Sequence, residues 1–445
     1  MNESISTPEK TEVDLLIVNG HVLTLNGRDD RFPDGAVAVQ GAEIVAVGDT
    51  ASIEARFHAR KTLVARGCIV MPGLVNGHTH AAMTLFRGLA DDLPLMDWLH
   101  RHIFPAERKL TQEWVYRGTL LACAEMILSG TTTFCDMYLF EHMVARAAAE
   151  AGMRALVGEV LYDFPSPHYG PIENGLGFTE SLIREWAGDP LVRVAVEPHA
   201  IYTCSPNLLR RCDEIARRFD VPLIIHVSEN EAEVRQVQDL YGCRPVEHLE
   251  RLGMLGPHLI ADHCVALDDR DMELLAARSA QVVHNPESNM KLASGVAPVP
   301  KLLERGVNVA LGTDGCASNN DLDLFGEMDT CAKLHKVMML DPTVLPARSV
   351  LRMATRNGAG ALGFGGKVGE LTPGMWADII VVDFGRPHLT PLYEPVSHLV
   401  YAARGADVRH SIIHGRLVME DRRLLTLDVE EVMDHARAIA RAVRS

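Results

Sequence analysis

The middle of the chain alternates short apolar runs with longer segments of helical periodicity. This alternation is typical of repeated β–α units around a parallel sheet. Eight runs qualify as strands, and each is followed by enough residues for a helix. They span residues 69–76, 131–136, 154–160, 192–199, 222–226, 259–263, 281–284 and 308–313. Eight such units favour an α/β fold of the (β/α)₈ TIM-barrel type over a doubly wound sheet.

Both ends of the chain show short β-type runs bounded by glycine turn signals. Residues 13–18 and 36–39 form such runs near the N-terminus, and residues 376–382 and 408–414 do so near the C-terminus. We expect the N-terminal runs to form a small antiparallel sheet, and the two ends to share one small β domain. We expect residues 1–70 and 364–445 to form this domain, with a terminal helix in the second segment. Residues 71–363 are expected to form the barrel.

Composition and charge narrow the class of protein. The 445 residues are 47% hydrophobic and 23% charged, which is typical of a folded globular chain. The formal net charge of −16 disfavours binding to nucleic acids or to anionic membranes. The sequence shows no secretory signal and no apolar run long enough to span a bilayer. Nine cysteines without a Cys-x-x-Cys pair indicate reduced thiols and a cytoplasmic protein.

A pair of histidines is the first candidate for chemistry. His78 and His80 follow an apolar run, and the strand repeat of two places both imidazoles on one face, where they can chelate one metal. The same spacing recurs at His100 and His102, but that pair lies in a helix-like stretch without a preceding strand. Only the first pair therefore has the setting of a metal site.

Further polar residues fall at the predicted strand ends, where barrel enzymes place their chemistry. These residues are His199, His226, His263, His284 and Asp314. A divalent ion held by His78, His80, His226 and Asp314 would lower the pKa of a bound water and supply hydroxide at neutral pH. We assign His284 to shaping the pocket rather than to the metal.

Glu229 lies three residues after His226, close enough to exchange protons with a bound substrate. Asp314 could take a proton from the nucleophilic water while Glu229 protonates a ring nitrogen. Two carboxylates with different partners would thus divide the base and acid roles. The alternative is that Glu229 is a solvated acid in an acidic run.

These motifs resemble the amidohydrolase superfamily, specifically its single-metal deaminases. The resemblance rests on residues 71–80, on His226 with Glu229, on His263 and on residues 312–314. Residues 84–88, 97–99, 105–107 and 369–374 resemble the 5′-methylthioadenosine/S-adenosylhomocysteine deaminases, and the triazine hydrolases and guanine deaminases share much of this pattern. The resemblance covers about residues 13–425.

The resemblance implies a distorted (β/α)₈ barrel with a small β-sandwich built from both chain ends. It implies one divalent ion, usually zinc, with iron, cobalt or manganese as alternatives. The matching ligands are His78, His80, His226 and Asp314. Two-metal relatives bridge their ions with a barrel lysine, and this chain has no lysine between Lys109 and Lys291, which favours one ion.

The resemblance also implies roles for individual residues. Asp314 matches the general base, Glu229 the acid that protonates the purine, and His263 the residue that orients the nucleophile. The remaining matches are substrate contacts. His199 matches a contact to a purine nitrogen, and Glu107 matches the carboxylate that accepts hydrogen bonds from the ribose hydroxyls. Trp98 matches an aromatic residue of the pocket, and Ser318 matches a residue beside the purine.

One departure from the family bears on the substrate. Members that use S-adenosylhomocysteine can present an arginine at the end of the third barrel strand, where this chain has Glu159. A glutamate there would repel the substrate carboxylate. We therefore expect 5′-methylthioadenosine to be preferred.

The expected reaction is hydrolytic deamination of an adenine nucleoside at C6, with adenosine or S-adenosylhomocysteine as weaker substrates. The alternatives are a guanine or 8-oxoguanine deaminase, a triazine hydrolase, or a catalytically silent barrel scaffold. The family implies a homo-oligomer, a dimer or a tetramer, and a small nucleoside as the only other partner.

Overall fold

The computed structural model of the protein describes residues 10–93 and 99–444. Trp98, the expected pocket aromatic, lies outside the described residues. The strands are β1 Thr11–Leu23, β2 Arg31–Gln40, β3 Glu43–Asp49, β4 Phe57–Val64, β5 Cys68–Pro72, β6 Leu74–Thr79, β7 Thr131–Tyr138, β8 Arg154–Leu161, β9 Val192–Val194, β10 Glu197–Pro198, β11 Leu223–Val227, β12 Leu259–His263, β13 Gln281–His284, β14 Asn308–Leu311, β15 Ile379–Asp383, β16 Val408–Ile413, β17 Arg416–Glu420 and β18 Arg423–Leu424.

Helices follow most of the central strands. The α-helices are Thr50–Arg56, Phe104–Glu107, Gln112–Ser129, Glu141–Ala151, Ile172–Glu185, Pro206–Phe219, Glu231–Tyr241, Pro245–Leu252, Asp269–Ala277, Pro286–Lys291, Val299–Glu304, Leu324–Met339, Ala347–Arg352, Gly358–Ala361, Pro395–Tyr401 and Val429–Arg444. In the described part of the chain, no helix is both long and apolar enough to cross a membrane.

The centre of the molecule is built from two parallel sheets. One has the order β10-β8-β7-β6 with β9 paired to β8, and the other has the order β11-β12-β13-β14. Single parallel bridges join them at Val196 to Leu223 and at Ala200 to His226. On the opposite side, the Asp314 N–H donates to the His78 carbonyl at 2.9 Å. The α/β class and the curled parallel sheets agree with the expectation.

The first predicted strand, residues 69–76, is in fact two strands that belong to different sheets. β5 pairs with β15 in the outer sheet, while β6 pairs with β7 in the centre. The chain turns at Gly73, where a Cβ atom would clash with the Thr132 side chain. Both strands are fully buried, so their apolar sequence is continuous and hides the break. The predicted strand 192–199 is likewise divided, into β9 and β10.

Strands from both chain ends form one nine-stranded sheet. Its order is β18-β17-β16-β15-β5-β1-β2-β3, with β4 paired to β1. The expected antiparallel pairing of the N-terminal runs is confirmed, because β1 pairs antiparallel with β2 and β2 with β3. In addition, β1 pairs in parallel with β4 and β5. Parallel pairing follows from the crossover of the chain through the helix Thr50–Arg56.

A buried ion pair fastens this sheet to the centre. Arg154 on β8 donates from Nε and Nη2 to the two oxygens of Asp378, at 2.9 and 3.0 Å. Arg154 is 0% and Asp378 is 2% exposed. The guanidinium also lies 4.3 Å from the ring centre of Trp376. Two parallel charge-assisted hydrogen bonds therefore fix the orientation of the outer sheet.

Candidate active site

The candidate site lies at the carboxyl ends of the central strands. His78 is on β6, His226 on β11 and His263 on β12, and Asp314 lies three residues beyond β14. His78 is 0% exposed, and His226 and Asp314 are each 5% exposed. Parallel strands end at the same edge, so residues that are far apart in sequence meet here.

Three imidazoles and one carboxylate converge on a common point. The Nε2 atoms of His78 and His226 are 3.2 Å apart. Asp314 Oδ1 lies 3.1 Å from His80 Nε2 and 3.5 Å from His78 Nε2. Three nitrogens and one oxygen at these separations fit the donor set of a divalent ion such as zinc.

The other ring nitrogen of each of these histidines is already engaged. His78 Nδ1 lies 3.0 Å from Asp262 Oδ2, and His226 Nδ1 lies 2.8 Å from the carbonyl oxygen of His199. His80 Nδ1 contacts the carbonyl oxygen of Met137. Acceptors at Nδ1 select the tautomer whose Nε2 is free to bind a metal. Asp262 was not expected at the site from the sequence, although it directly precedes His263 at a strand end.

The electrostatics of the cluster favour a positive charge. Burial lowers the pKa of His78, but Asp262 and Asp314 outweigh burial and raise that pKa to about 10. Burial raises the pKa of Asp314, but His78 and His80 hold it well below its usual range. Two buried carboxylates therefore prepare this pocket for a cation.

Asp314 is held in a fixed orientation. Its backbone adopts φ +63°, and its Oδ1 accepts a hydrogen bond from the N–H of Gly315 at 2.8 Å. The hydroxyls of Ser288 and Ser318 donate to Oδ2 at 2.6 and 2.8 Å. Ser318, which was expected beside the purine, lines the cavity. Its hydroxyl, however, donates its hydrogen bond to Asp314. Ser288 gave no signal in the sequence.

A cavity of about 510 Å³ opens over this cluster. This volume is typical of small-molecule sites. Of the expected residues, the following line it: His80, Glu107, His199, His226, Glu229, His263, Asp314 and Ser318. His78 is buried beneath the cavity. His102, from the second histidine pair, is exposed and does not line it.

Glu107 and His199 stand at the cavity wall. Tyr138 donates to Glu107 Oε1 at 2.9 Å, and burial raises the pKa of Glu107 to about 7. His199 Nδ1 lies 2.9 Å from Thr203 Oγ1, and burial with nearby histidines lowers the pKa of His199 to about 4. His199 is thus a neutral imidazole, which can donate or accept one hydrogen bond at Nε2.

Glu229 is anchored through its backbone by a second acid. The carboxylate of Glu233 accepts hydrogen bonds from the N–H of Ser228 at 3.0 Å and from the N–H of Glu229 at 2.7 Å. Ser228 has φ +52°, so the chain turns sharply between His226 and Glu229. The side chain of Asn230 in turn caps the helix by accepting from the N–H of Glu233 at 2.9 Å. The spacing Asn-x-x-Glu could have indicated this cap.

His263 lies on the far side of the cluster. Its Nδ1 is 2.9 Å from Asn289 Oδ1, and its ring stacks on His226 with a centroid distance of 5.4 Å. The backbone of His263 has φ +68°. The imidazole therefore presents Nε2 to the same cavity from a fixed position.

The expectation for Glu159 is wrong. Its side chain is 0% exposed, accepts from the N–H of Glu141 at 3.0 Å and lies 2.8 Å from His168 Nδ1. It does not line the cavity, so it cannot repel a bound carboxylate there. His284 likewise does not shape the pocket, because it packs away from the cavity against His335.

Known proteins are similar to this chain over nearly its whole length. Residues 69–418 match the amidohydrolase family. A 5-methylthioadenosine/S-adenosylhomocysteine deaminase of Syntrophobacter fumaroxidans is 72% identical over 434 residues, which cover 98% of this chain and 99% of the relative. A 5′-deoxyadenosine deaminase of Methanosarcina mazei is 49% identical over 429 residues, which cover 96% of this chain and 98% of the relative.

The fold is shared with a solved structure of similar length. The crystal structure of an adenosine deaminase from Xanthomonas campestris with bound zinc superposes with a TM-score of 0.97 at 41% identity, covering 98% of this chain and 100% of that one. The resemblance seen in the sequence is thus confirmed, and the chain belongs to the amidohydrolase family.

Proposed function

We propose that the protein deaminates adenine nucleosides hydrolytically at C6, converting 5′-methylthioadenosine to 5′-methylthioinosine and ammonia. The observation that carries this proposal is the convergence of His78, His80, His226 and Asp314 at the base of one cavity, which Glu229 also lines. Relatives that span nearly the whole chain bear the names of adenine nucleoside deaminases, which supports the same substrate class. We also propose that the central sheets form a distorted (β/α)₈ barrel, residues 71–363, with a small β-sandwich from residues 1–70 and 364–445.

The four ligands would hold one divalent ion, and zinc suits three imidazoles and a carboxylate. When bound, such an ion polarises a water molecule and makes it nucleophilic at neutral pH. The Nδ1 contacts of His78, His80 and His226 keep their Nε2 atoms available for it.

Side chains of the protein would then orient the water and transfer the protons. Asp314 takes one proton from the attacking water, and His263 orients that water towards C6. Glu229 protonates N1 as the C6–O bond forms. The C6–N bond breaks when Asp314 gives its proton to the amino group, which leaves as ammonia, while the C6 hydroxyl proton returns to Glu229. The sum is nucleoside plus water giving the 6-oxo product plus ammonia.

Residues of the cavity wall would bind the ribose, the purine and the methylthio group of the substrate. The Glu107 carboxylate would accept hydrogen bonds from the two ribose hydroxyls, and His199 would contact a purine nitrogen. Tyr162 and Phe164 stack at 4.0 Å along the wall and offer an apolar surface to a methylthio group. Arg108 also lines the cavity, so S-adenosylhomocysteine belongs among the substrates to be tested.

The test is the loss of adenine absorbance with purified, zinc-loaded protein. 5′-Methylthioadenosine, S-adenosylhomocysteine, 5′-deoxyadenosine, adenosine and guanine are compared side by side. We expect the highest kcat/KM for 5′-methylthioadenosine. Turnover of guanine without turnover of any adenosine would overturn the proposal and the role of Glu107 with it.

A further inference from the structure

A second cluster of metal-binding side chains lies away from the candidate active site. His284 ends β13, and Cys331 and His335 are one turn apart on the helix Leu324–Met339 that packs nearby. Their ligand atoms all lie within 4.8 Å of one another. We propose that His284, Cys331 and His335 form a second, structural metal site for a thiophilic ion, zinc or copper(I).

The burial of this cluster is the first argument. His284 and Cys331 are 0% exposed and His335 is 2% exposed. The Nε2 atoms of His284 and His335 face each other at 3.3 Å, and both are ring nitrogens that can ligate a metal. The ligand atoms of the cluster are therefore buried and close enough together to share one ion.

The donor chemistry of the cluster suits a soft cation. Neutral imidazoles and a thiolate are the forms of these side chains that bind metal. Two nitrogens and a sulfur make a borderline-soft donor set, which selects zinc or copper(I) over magnesium or calcium. The Cys331 proton would leave on binding.

The position of the cluster gives it a structural role. Asn285 directly follows His284, and its Nδ2 lies 3.4 Å from His263 Nδ1. An ion that ties β13 to the helix Leu324–Met339 would hold this segment behind the candidate active site. The cluster itself does not line the cavity. Its metal would therefore be retained independently of the candidate catalytic ion.

The sulfur ligand makes the proposal testable, because the candidate active site contains no cysteine ligand. A buried site must be loaded while the chain folds, so the full-length protein is produced in cobalt-supplemented medium. We expect two cobalt ions per chain and a near-ultraviolet thiolate-to-cobalt charge-transfer band. Cys331→Ser should abolish the band and remove one equivalent, whereas Asp314→Asn should retain the band.

Cys212→Ala is the matched control, because Cys212 is equally buried but lies on the helix Pro206–Phe219, outside the cluster. This variant should keep the charge-transfer band.

Elemental analysis of protein grown with zinc or with copper then shows which of the two ions is bound. X-ray absorption should show a sulfur neighbour at about 2.3 Å if the ion is zinc. At most one metal equivalent per chain in all three media, with no sulfur signal, would overturn the proposal. That result would leave a plain His284–His335 hydrogen bond and would not affect the proposed deaminase.

Discussion

The carboxylate of Glu233 accepts a hydrogen bond from the backbone N–H of Glu229 at 2.7 Å. Glu233 is 4% exposed, and its second oxygen binds the N–H of Ser228. A buried acid thus aims the proposed proton donor without touching the substrate itself. We regard Glu233 as a positioning residue.

Replacing Glu233 with glutamine should lower kcat about 10- to 100-fold with little change in KM, because the amide oxygen can accept only one of the two backbone hydrogen bonds. Steady-state kinetics on 5′-methylthioadenosine measure this. The exposed neighbour Glu231 provides the control, and Glu231→Gln should be neutral. An equal loss of kcat with a large rise in KM would point to a collapsed pocket instead.

Asp262 is expected to set metal affinity through His78. Asp262→Asn removes the charge that lies 3.0 Å from His78 Nδ1, and we expect a 10- to 100-fold weaker affinity for zinc, as is typical of such outer partners. Chelator competition measures the dissociation constant. Asp239→Asn, at an exposed site, serves as the reference. Unchanged affinity in Asp262→Asn would remove this role.

Glu107 should make substrate binding depend on pH. Burial raises its pKa to about 7, so the carboxylate that accepts the ribose hydroxyls is populated only above that pH. KM should therefore fall as pH rises through about 7, and Glu107→Gln should flatten this dependence. Because the folded state holds this proton more tightly than the unfolded chain does, the free energy of unfolding should fall as pH rises from about 4.5 to 7. A KM profile that is the same in both proteins would contradict the assignment.

The Arg154–Asp378 pair should matter for stability. Arg154→Met leaves a buried carboxylate without its cation, and we expect a loss of about 3–5 kcal/mol in the free energy of unfolding. The double variant Arg154→Met/Asp378→Asn should lose less. Urea unfolding measures both. Arg437→Met, which breaks an exposed pair with Asp434, should cost no more than about 1 kcal/mol. Equal effects of the buried and exposed changes would refute the structural role.

The candidate ligands could be found from the sequence because each lies within five residues of the end of an apolar run. That signal gave His78, His80, His226 and Asp314 before any contact was known. The side chains that orient them, such as Asp262 and Glu233, were missed, because their partners are set by the three-dimensional arrangement and not by spacing alone.

Glu159, by contrast, was expected at the cavity and does not line it. All eight residues of β8 are buried, so the strand has no alternation of polar and apolar positions to reveal which face meets the cavity. Sequence alignment could place Glu159 at the right strand end, but it could not show that the side chain turns towards His168.

The pairing of β5 with β15 has a consequence for synthesis of the chain. β5 ends at Pro72 and β15 begins at Ile379, so about 300 residues must leave the ribosome before the edge of β5 is covered. At about 5–20 residues per second this interval lasts roughly 15–60 s. During that time an apolar strand edge is open to other nascent chains. Expression at a lower rate of initiation, or with chaperones that bind exposed strands, should therefore raise the yield of native protein.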